Sequence, residues 1–156
     1  MSEASGIAVR AARPADADAV AALIDAAFVH YVPILGRKPR PMLDDHAARI
    51  ARGETFVADD GARLLGVISI SPNEGALHIF NIAVRPEAQG SGLLRRLIAF
   101  AEARARQNGA GRLTLYTNVA MTRNRSIDAH LGFTEDGISE GGGYKIVHMT
   151  KPLGEA

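Results

Sequence analysis

No cysteine occurs anywhere in the 156 residues, which rules out disulfides, thiolate zinc sites and a cysteine nucleophile. Tryptophan is absent too, and aromatic residues make up only 5%. That is too little for the base-stacking platforms of a single-stranded nucleic-acid binder. Neither sign of charge dominates: 18 Lys and Arg stand against 17 Asp and Glu, for a net of +1. The chain as a whole therefore has no field to draw in nucleic acid or an anionic membrane. The longest apolar run, Leu64 to Ile70, is broken by Gly66 and is far too short to span a bilayer. Met1 to Arg10 has no apolar core of the kind a signal peptide needs. The five histidines show no i, i+4 pair, so no metal is expected. What is present is an ordinary globular mixture, 47% hydrophobic and 22% charged. The expectation is one domain over residues 1–156, soluble and cytoplasmic, with neither nucleic acid nor membrane as partner.

The chain opens with a short strand at Ile7 to Arg10. Arg13-Pro14-Ala15-Asp16 then starts a helix, with Pro in the first turn and Asp16 and Asp18 near the positive end. Val20, Leu23, Ile24, Ala27 and Phe28 recur at helical spacing and predict one buried face. From His30 to Pro41, four prolines and glycines predict a segment without regular structure. A short helix is expected over Leu43 to Arg52, ended by Gly53.

Three consecutive antiparallel strands follow. Glu54 to Ala58 and Leu64 to Ser71 flank an Asp59-Asp60-Gly61-Ala62 hairpin, and Ser71 to Gly75 is a turn leading into Ala76 to Val84. A helix from Gly92 to Asn108 carries the apolar stripe Leu93, Leu94, Leu97, Ile98, Ala101 and Ala105. Leu113 to Thr117 is the next strand, and a strand–helix–strand unit of this length implies a parallel pair. A helix over Thr122 to Leu131 precedes strands at Phe133–Ser139 and Tyr144–Thr150, joined by Gly141 to Gly143. The fold class is α/β: a mixed, mostly antiparallel sheet flanked by helices, with one central parallel pair.

Between the third hairpin strand and the long helix stands Val84-Arg85-Pro86-Glu87-Ala88-Gln89-Gly90-Ser91-Gly92-Leu93. Two glycines just before a helix start let the backbone turn sharply, bringing amide N–H groups to one point with the helix dipole behind them. That arrangement suits a phosphate or pyrophosphate, although a tight turn alone would also use these glycines. Arg95 stands where a dinucleotide-binding fingerprint needs its third glycine, and no Gly-Lys-Ser/Thr follows as in a P-loop.

This stretch resembles motif A of the GNAT superfamily of acetyltransferases, Gln/Arg-x-x-Gly-x-Gly/Ala. Gln89, Gly92 and the preceding Ile82-Ala83-Val84-Arg85-Pro86 match it, while Leu94 departs at the last small position. The order of elements and the closing Leu131-Gly132-Phe133 agree with the superfamily along almost the whole chain. The resemblance implies acetyl-CoA as co-substrate. The backbone of Gln89, Gly90, Ser91, Gly92, Leu93 and Leu94 would hold its pyrophosphate, and main-chain groups of Ile82, Ala83 and Val84 would pair with the pantetheine arm. The strands at Ile79–Val84 and Leu113–Thr117 would splay to admit that arm. Asn124 would bond at or near the pantetheine, and the amide of Ala83 or Val84 would serve as oxyanion donor.

Transfer to an amine also needs a proton for the departing thiolate. By resemblance a tyrosine four residues before the Gly-Phe pair supplies it, and here that position is Asp128. An ordinary aspartate, with a pKa near ~3.9, is ionised at neutral pH and has no proton to give unless burial raises that value. Tyr144, Tyr116, Ser126 or His130 could substitute as a displaced donor, or a thiolate could leave unaided. Candidate bases are His78, Asn81, Glu74 and Tyr31, with water as an alternative. Strand alternation puts His78 and Asn81 on opposite faces. Arg37, Lys38 and Arg40 form a basic segment on the expected acceptor side. The expected function is direct N-acetyl transfer to a primary amine, without a covalent intermediate. The alternative is a non-catalytic coenzyme A-binding sensor or regulatory module. A small-molecule amine is the expected acceptor, a protein N-terminus is the other candidate, and the resemblance implies a homodimer through the C-terminal strands.

Overall fold

The computed structural model describes residues 6–154. Seven strands form one mixed sheet in the order β1-β2-β3-β4-β5-β7-β6. They are β1 Ala8–Ala11, β2 Thr55–Asp59, β3 Leu64–Asn73, β4 Ala76–Val84, β5 Arg112–Asn118, β6 Thr134–Gly141 and β7 Tyr144–Pro152. The α-helices are α1 Ala17–Phe28, α2 Val32–Leu35, α3 His46–Ala51, α4 Leu93–Gln107 and α5 Thr122–His130. This is the α/β fold expected from the sequence, with β4 and β5 as its parallel pair.

The described residues group into two compact units, 6–70 with 81–100, and 71–80 with 101–154. In the first, β2 pairs antiparallel with both β1 and β3. Helix α1 buries Val20, Leu23, Ile24 and Phe28, the face its spacing predicts. Its start is held by Asp16, whose carboxylate accepts from the Arg13 amide at 2.7 Å and from Arg10 at 2.8 Å. The helical stretch Pro14–Leu35 is 22 residues long and holds an 18-residue window of mean hydropathy 1.5, enough by length and composition alone to cross a membrane, as the core helix of a water-soluble fold also can be. Gly66 lets α4 approach β3 closely. A Cβ at that position would stand 3.1 Å from Leu97 Cδ1, 3.3 Å from Leu93 Cδ2 and 3.3 Å from the Ala83 carbonyl. A buried hydroxyl pair, Thr55 Oγ1 and Ser69 Oγ at 2.8 Å, ties β2 to β3.

In the second unit β5 lies between β4 and β7. The parallel ladder joins Leu77–Ile79 to Leu113–Leu115, while β4 itself continues to Val84 and β5 to Asn118. β7 pairs antiparallel with β5 and with β6, whose eight residues are all exposed. Inward-facing Leu113, Leu115, Val147 and Met149 alternate with more exposed neighbours, as a sheet with one covered face requires.

Three local expectations are corrected. Residues 30–41 are irregular only at 36–39. They form 3-10 turns at Val29–Tyr31 and Arg40–Leu43 around α2, because Pro33 falls in a first helical turn and Gly36 ends the helix at φ 72°. The helix expected from Leu43 begins only at His46, where Asp45 accepts from the Ala48 amide at 3.0 Å. The turn expected over Ser71–Gly75 is tighter: β3 runs through Pro72 to Asn73, leaving Glu74 and Gly75 as a two-residue turn with φ of 49° and 78°. Its tip is fastened to the start of β5 by the Gly111 amide on the Gly75 carbonyl and Arg112 on the Glu74 carbonyl, both at 3.2 Å.

Candidate functional site

The loop after β4 has the form its glycines predict. Pro86–Ala88 makes one 3-10 turn, and Gly90 and Gly92 follow at φ 82° and 87°, values that L side chains rarely adopt. The Gln89 side-chain amide donates to the Val84 carbonyl at 3.3 Å, and the Ser91 hydroxyl to the Ala88 carbonyl at 2.5 Å. The first helical bond runs from the Arg96 amide to the Gly92 carbonyl, 3.2 Å, so the amides just before Arg96 precede the ladder of α4. A Cβ on Gly90 or Gly92 would meet nothing within 4 Å. The Gln89 and Ser91 amides donate within the turn, to the Pro86 and Ala88 carbonyls at 3.3 Å; the turn is open at its two glycines and backed by a helix of 15 residues, which fits a pyrophosphate group. Leu93 is buried and Leu94 half-buried at the helix start; Ile82 is half-buried, and Ala83 and Val84 are buried at the end of β4.

Asn81 opens a second set of contacts in the same unit. Its side-chain amide donates to Asp44 Oδ2 at 2.6 Å, and Asp44 also accepts from Arg49, which in turn pairs with Glu54 at 3.1 Å. Burial pushes the Asp44 carboxyl up, but the Arg49 guanidinium and the Asn81 amide outweigh it, and the net shift is below the ordinary range. Asn81 is buried and engaged as a donor, and a carboxamide is not basic enough to take a proton, so its part is positioning. His46 bonds the Pro41 carbonyl through Nε2 at 3.0 Å.

His78 belongs to the other unit and begins a row of rings. Its Nδ1 lies 2.8 Å from Thr114 Oγ1, and its ring centroid is 4.8 Å from Phe80 and 4.5 Å from Tyr116. Tyr116 is in turn 4.5 Å from His148, whose Nε2 meets Ser139 Oγ at 2.7 Å. Four strands thus contribute one continuous set of rings and hydroxyls. Sequence reasoning named His78 and Tyr116 but not His148, Thr114 or Asp44. Tyr116 sits opposite His148 only through the β5–β7 register, and the Asn81–Asp44 bond spans 37 positions.

Asp128 lies on α5, buried at 6% exposure, and burial pushes its pKa from 3.8 up to about 7. Asn124 is half-buried on the same helix, and Ser126 and His130 are exposed on it. Tyr144 is buried at the start of β7, Tyr31 is buried in a 3-10 turn, and Glu74 is exposed at the hairpin tip. Among the described residues, no group of three or more His, Cys, Asp or Glu is arranged to hold a metal.

The chain belongs to the GNAT acetyltransferase family, whose model matches residues 19–133. No curated protein gives a significant sequence match. Among solved structures, it is similar to the PaiA N-acetyltransferase of Thermoplasma acidophilum in complex with coenzyme A, with 15% identity and a TM-score of 0.77 over 94% of this chain and 99% of that one. It is similar also to the ribosomal-protein-S18-alanine N-acetyltransferase of Escherichia coli, with 19% identity and a TM-score of 0.72 over 96% of each chain. A nourseothricin acetyltransferase shares 30% identity over 63% of this chain and 64% of its own, with a TM-score of 0.57.

Proposed function

We propose that this chain is an acetyl-CoA-dependent N-acetyltransferase acting on a primary amine by direct attack within a ternary complex. The observation that carries this reading is the Gln89–Leu94 turn, where two positive-φ glycines open amide donors ahead of the α4 helix. In this reading the backbone from Gln89 to Leu94 holds the pyrophosphate, Ile82 to Val84 pair with the pantetheine arm, and Asn124 bonds beside it. When bound, acetyl-CoA supplies an acyl carbon already activated as a thioester. The amide of Ala83 or Val84 stabilises the developing oxyanion. With burial raising its pKa to about 7, Asp128 holds its proton well above the usual carboxylate range and can release it to a thiolate. The same property tells against a non-catalytic coenzyme A-binding module, since the residue at the usual tyrosine position has a proton to give. His78 or a water takes the amine's proton, with Thr114 orienting the imidazole. The acceptor in this proposal is a small-molecule amine rather than a protein N-terminus.

Calorimetric titration with acetyl-CoA tests the loop. Micromolar binding is expected for the parent, with a loss of at least about 100-fold in Gly92→Glu, which adds a carboxylate to the anion site and a side chain at φ 87°. A thermal melt of the variant guards against simple unfolding. No binding by the folded parent sinks the assignment. Tight binding with no thiol release over a broad amine panel favours the coenzyme A-binding module instead.

A further inference from the structure

Among the described residues the Asn81 side chain has one hydrogen-bond partner: its amide nitrogen donates to Asp44 Oδ2 at 2.6 Å. An ionised carboxylate only accepts, so this bond settles which way the carboxamide is turned, with Nδ2 toward Asp44 and Oδ1 elsewhere. Burial works against a charge on Asp44, but the Arg49 guanidinium and the Asn81 amide outweigh it and keep the carboxyl below its ordinary range. The carboxylate is itself held by three donors, Arg49 and Asn81 on Oδ2 and the Asp45 amide on Oδ1 at 3.1 Å. No described group donates to Asn81 Oδ1. Among the described residues, the unpaired side-chain atoms sealed from solvent are His46 Nδ1 and Thr117 Oγ1. Asn81 Oδ1 is not one of them, so a residue only 4% exposed keeps one unpaired acceptor within reach from outside. An acceptor in so buried a side chain calls for a donor.

From this arrangement we infer that Asn81 Oδ1 accepts an N–H of the acceptor amine and sets its nitrogen beside the acyl carbon, while Asp44 acts through Asn81 by fixing the turn of its amide. The inference deepens the acetyltransferase reading above and rests on it, because Ile82 to Val84 follow Asn81 directly on β4, and Asn81 shares a face of the strand with Ala83. All of these residues, with Asp44 and Arg49, lie within the first compact unit. A carboxamide oxygen suits the task because it takes an N–H and leaves the nitrogen lone pair free. That lone pair forms the C–N bond, the C–S bond breaks with its electrons on sulfur, and the amine's proton leaves to the base or water of that reading. An amide turned the other way would aim its own N–H groups at the nitrogen and engage the lone pair that has to attack. Asp44 excludes that setting, which makes it a positioning residue.

The test follows free-thiol release with butylamine, 2-phenylethylamine, glucosamine and a tripeptide with a free N-terminus. Calorimetry gives acetyl-CoA affinity, and a thermal melt gives the folded fraction. Asn81→Ala should lower kcat/KM for the amine the parent uses by at least about 100-fold per folded molecule, equivalent to ~2.8 kcal/mol. Its Kd for acetyl-CoA should change by less than about 3-fold. Asp44→Asn keeps the shape but lets the Asn81 amide sit either way round, and should lose at least about 10-fold, mainly in kcat. The double variant should lose no more than Asn81→Ala alone, because Asp44 acts through Asn81. Where Asn81→Ala does not fold, Asp44→Asn carries the test. Parent that transfers acetyl groups while the folded variants stay within about 3-fold of it overturns this inference and leaves the transferase reading standing, whatever the melting temperatures do. Losses that simply add in the double variant overturn the part given to Asp44. Parent that does not bind acetyl-CoA, or binds it and releases no thiol with any of the amines, overturns both levels.

Discussion

Replacing Asp128 by asparagine isolates the cost of one buried carboxyl. The side chain is 6% exposed, and burial moves its pKa from the ordinary 3.8 to about 7. At the acid end the group is protonated in folded and unfolded chain alike and costs nothing. As the pH rises from 3.8 toward 7, the unfolded chain releases the proton while the folded chain still holds it, so stability falls. Once the folded carboxyl has ionised as well, the loss is complete. The gap between the two values corresponds to roughly 4 kcal/mol, at ~1.4 kcal/mol per pKa unit. Asparagine keeps the shape and cannot ionise. Urea unfolding of parent and Asp128→Asn at about pH 4 and about pH 8 should show the parent losing roughly 4 kcal/mol relative to the variant across that interval. Subtracting one protein from the other cancels the remaining titrating groups. An offset between the two that stays constant with pH would refute the argument that Asp128 is held in a desolvated site. The same variant should lose most of its turnover, and parent activity should fall as the pH rises above about 7, because the acid form is the one that donates.

Two further outcomes are expected. Gly66→Ala should lower stability by about 1–3 kcal/mol in urea unfolding, since its new methyl meets Leu97 and Leu93 side chains and the Ala83 carbonyl at 3.1–3.3 Å; a neutral or stabilising effect would show that α4 yields easily. Asp44 is held below its ordinary pKa, so its contribution to stability is present above the unfolded value and is lost as the pH falls through the folded one. Asp44→Asn should therefore destabilise at neutral pH by about 1–3 kcal/mol and match the parent more closely in acid, as read from denaturant midpoints.

Much of the fold was legible because its elements carry strong local signals. The strand Ala76–Val84 was bounded by Gly75 and Arg85-Pro86, and the stripe from Leu93 to Ala105 marked α4 to within a residue at each end. The phosphate-type loop was legible for the same reason, since Gly90 and Gly92 are needed by their own backbone angles. Local signals misled where proline was involved. Pro72 looked like part of a turn but sits in the exposed end of β3, and Pro33 looked like a breaker but occupies a first helical turn. The burial of Asp128 had no local mark, because Thr122–His130 is so polar that no apolar stripe identifies its inner face. Asp44 and His148 were invisible for a different reason. Their partners Asn81 and Tyr116 reach them only through tertiary contacts, which periodicity does not encode.

The fastening of the Glu74–Gly75 tip to Gly111 and Arg112 acts as the pawl of a ratchet. It admits one setting of β4 against β5. Slipping that pair by a single tooth would swing His78 or Tyr116 to the opposite side of the sheet, since neighbouring side chains point opposite ways. The setting of the ring row is therefore fixed at a place outside the row itself. An insertion in this small hairpin would shift the rings of the row against one another while every residue of the row stayed the same.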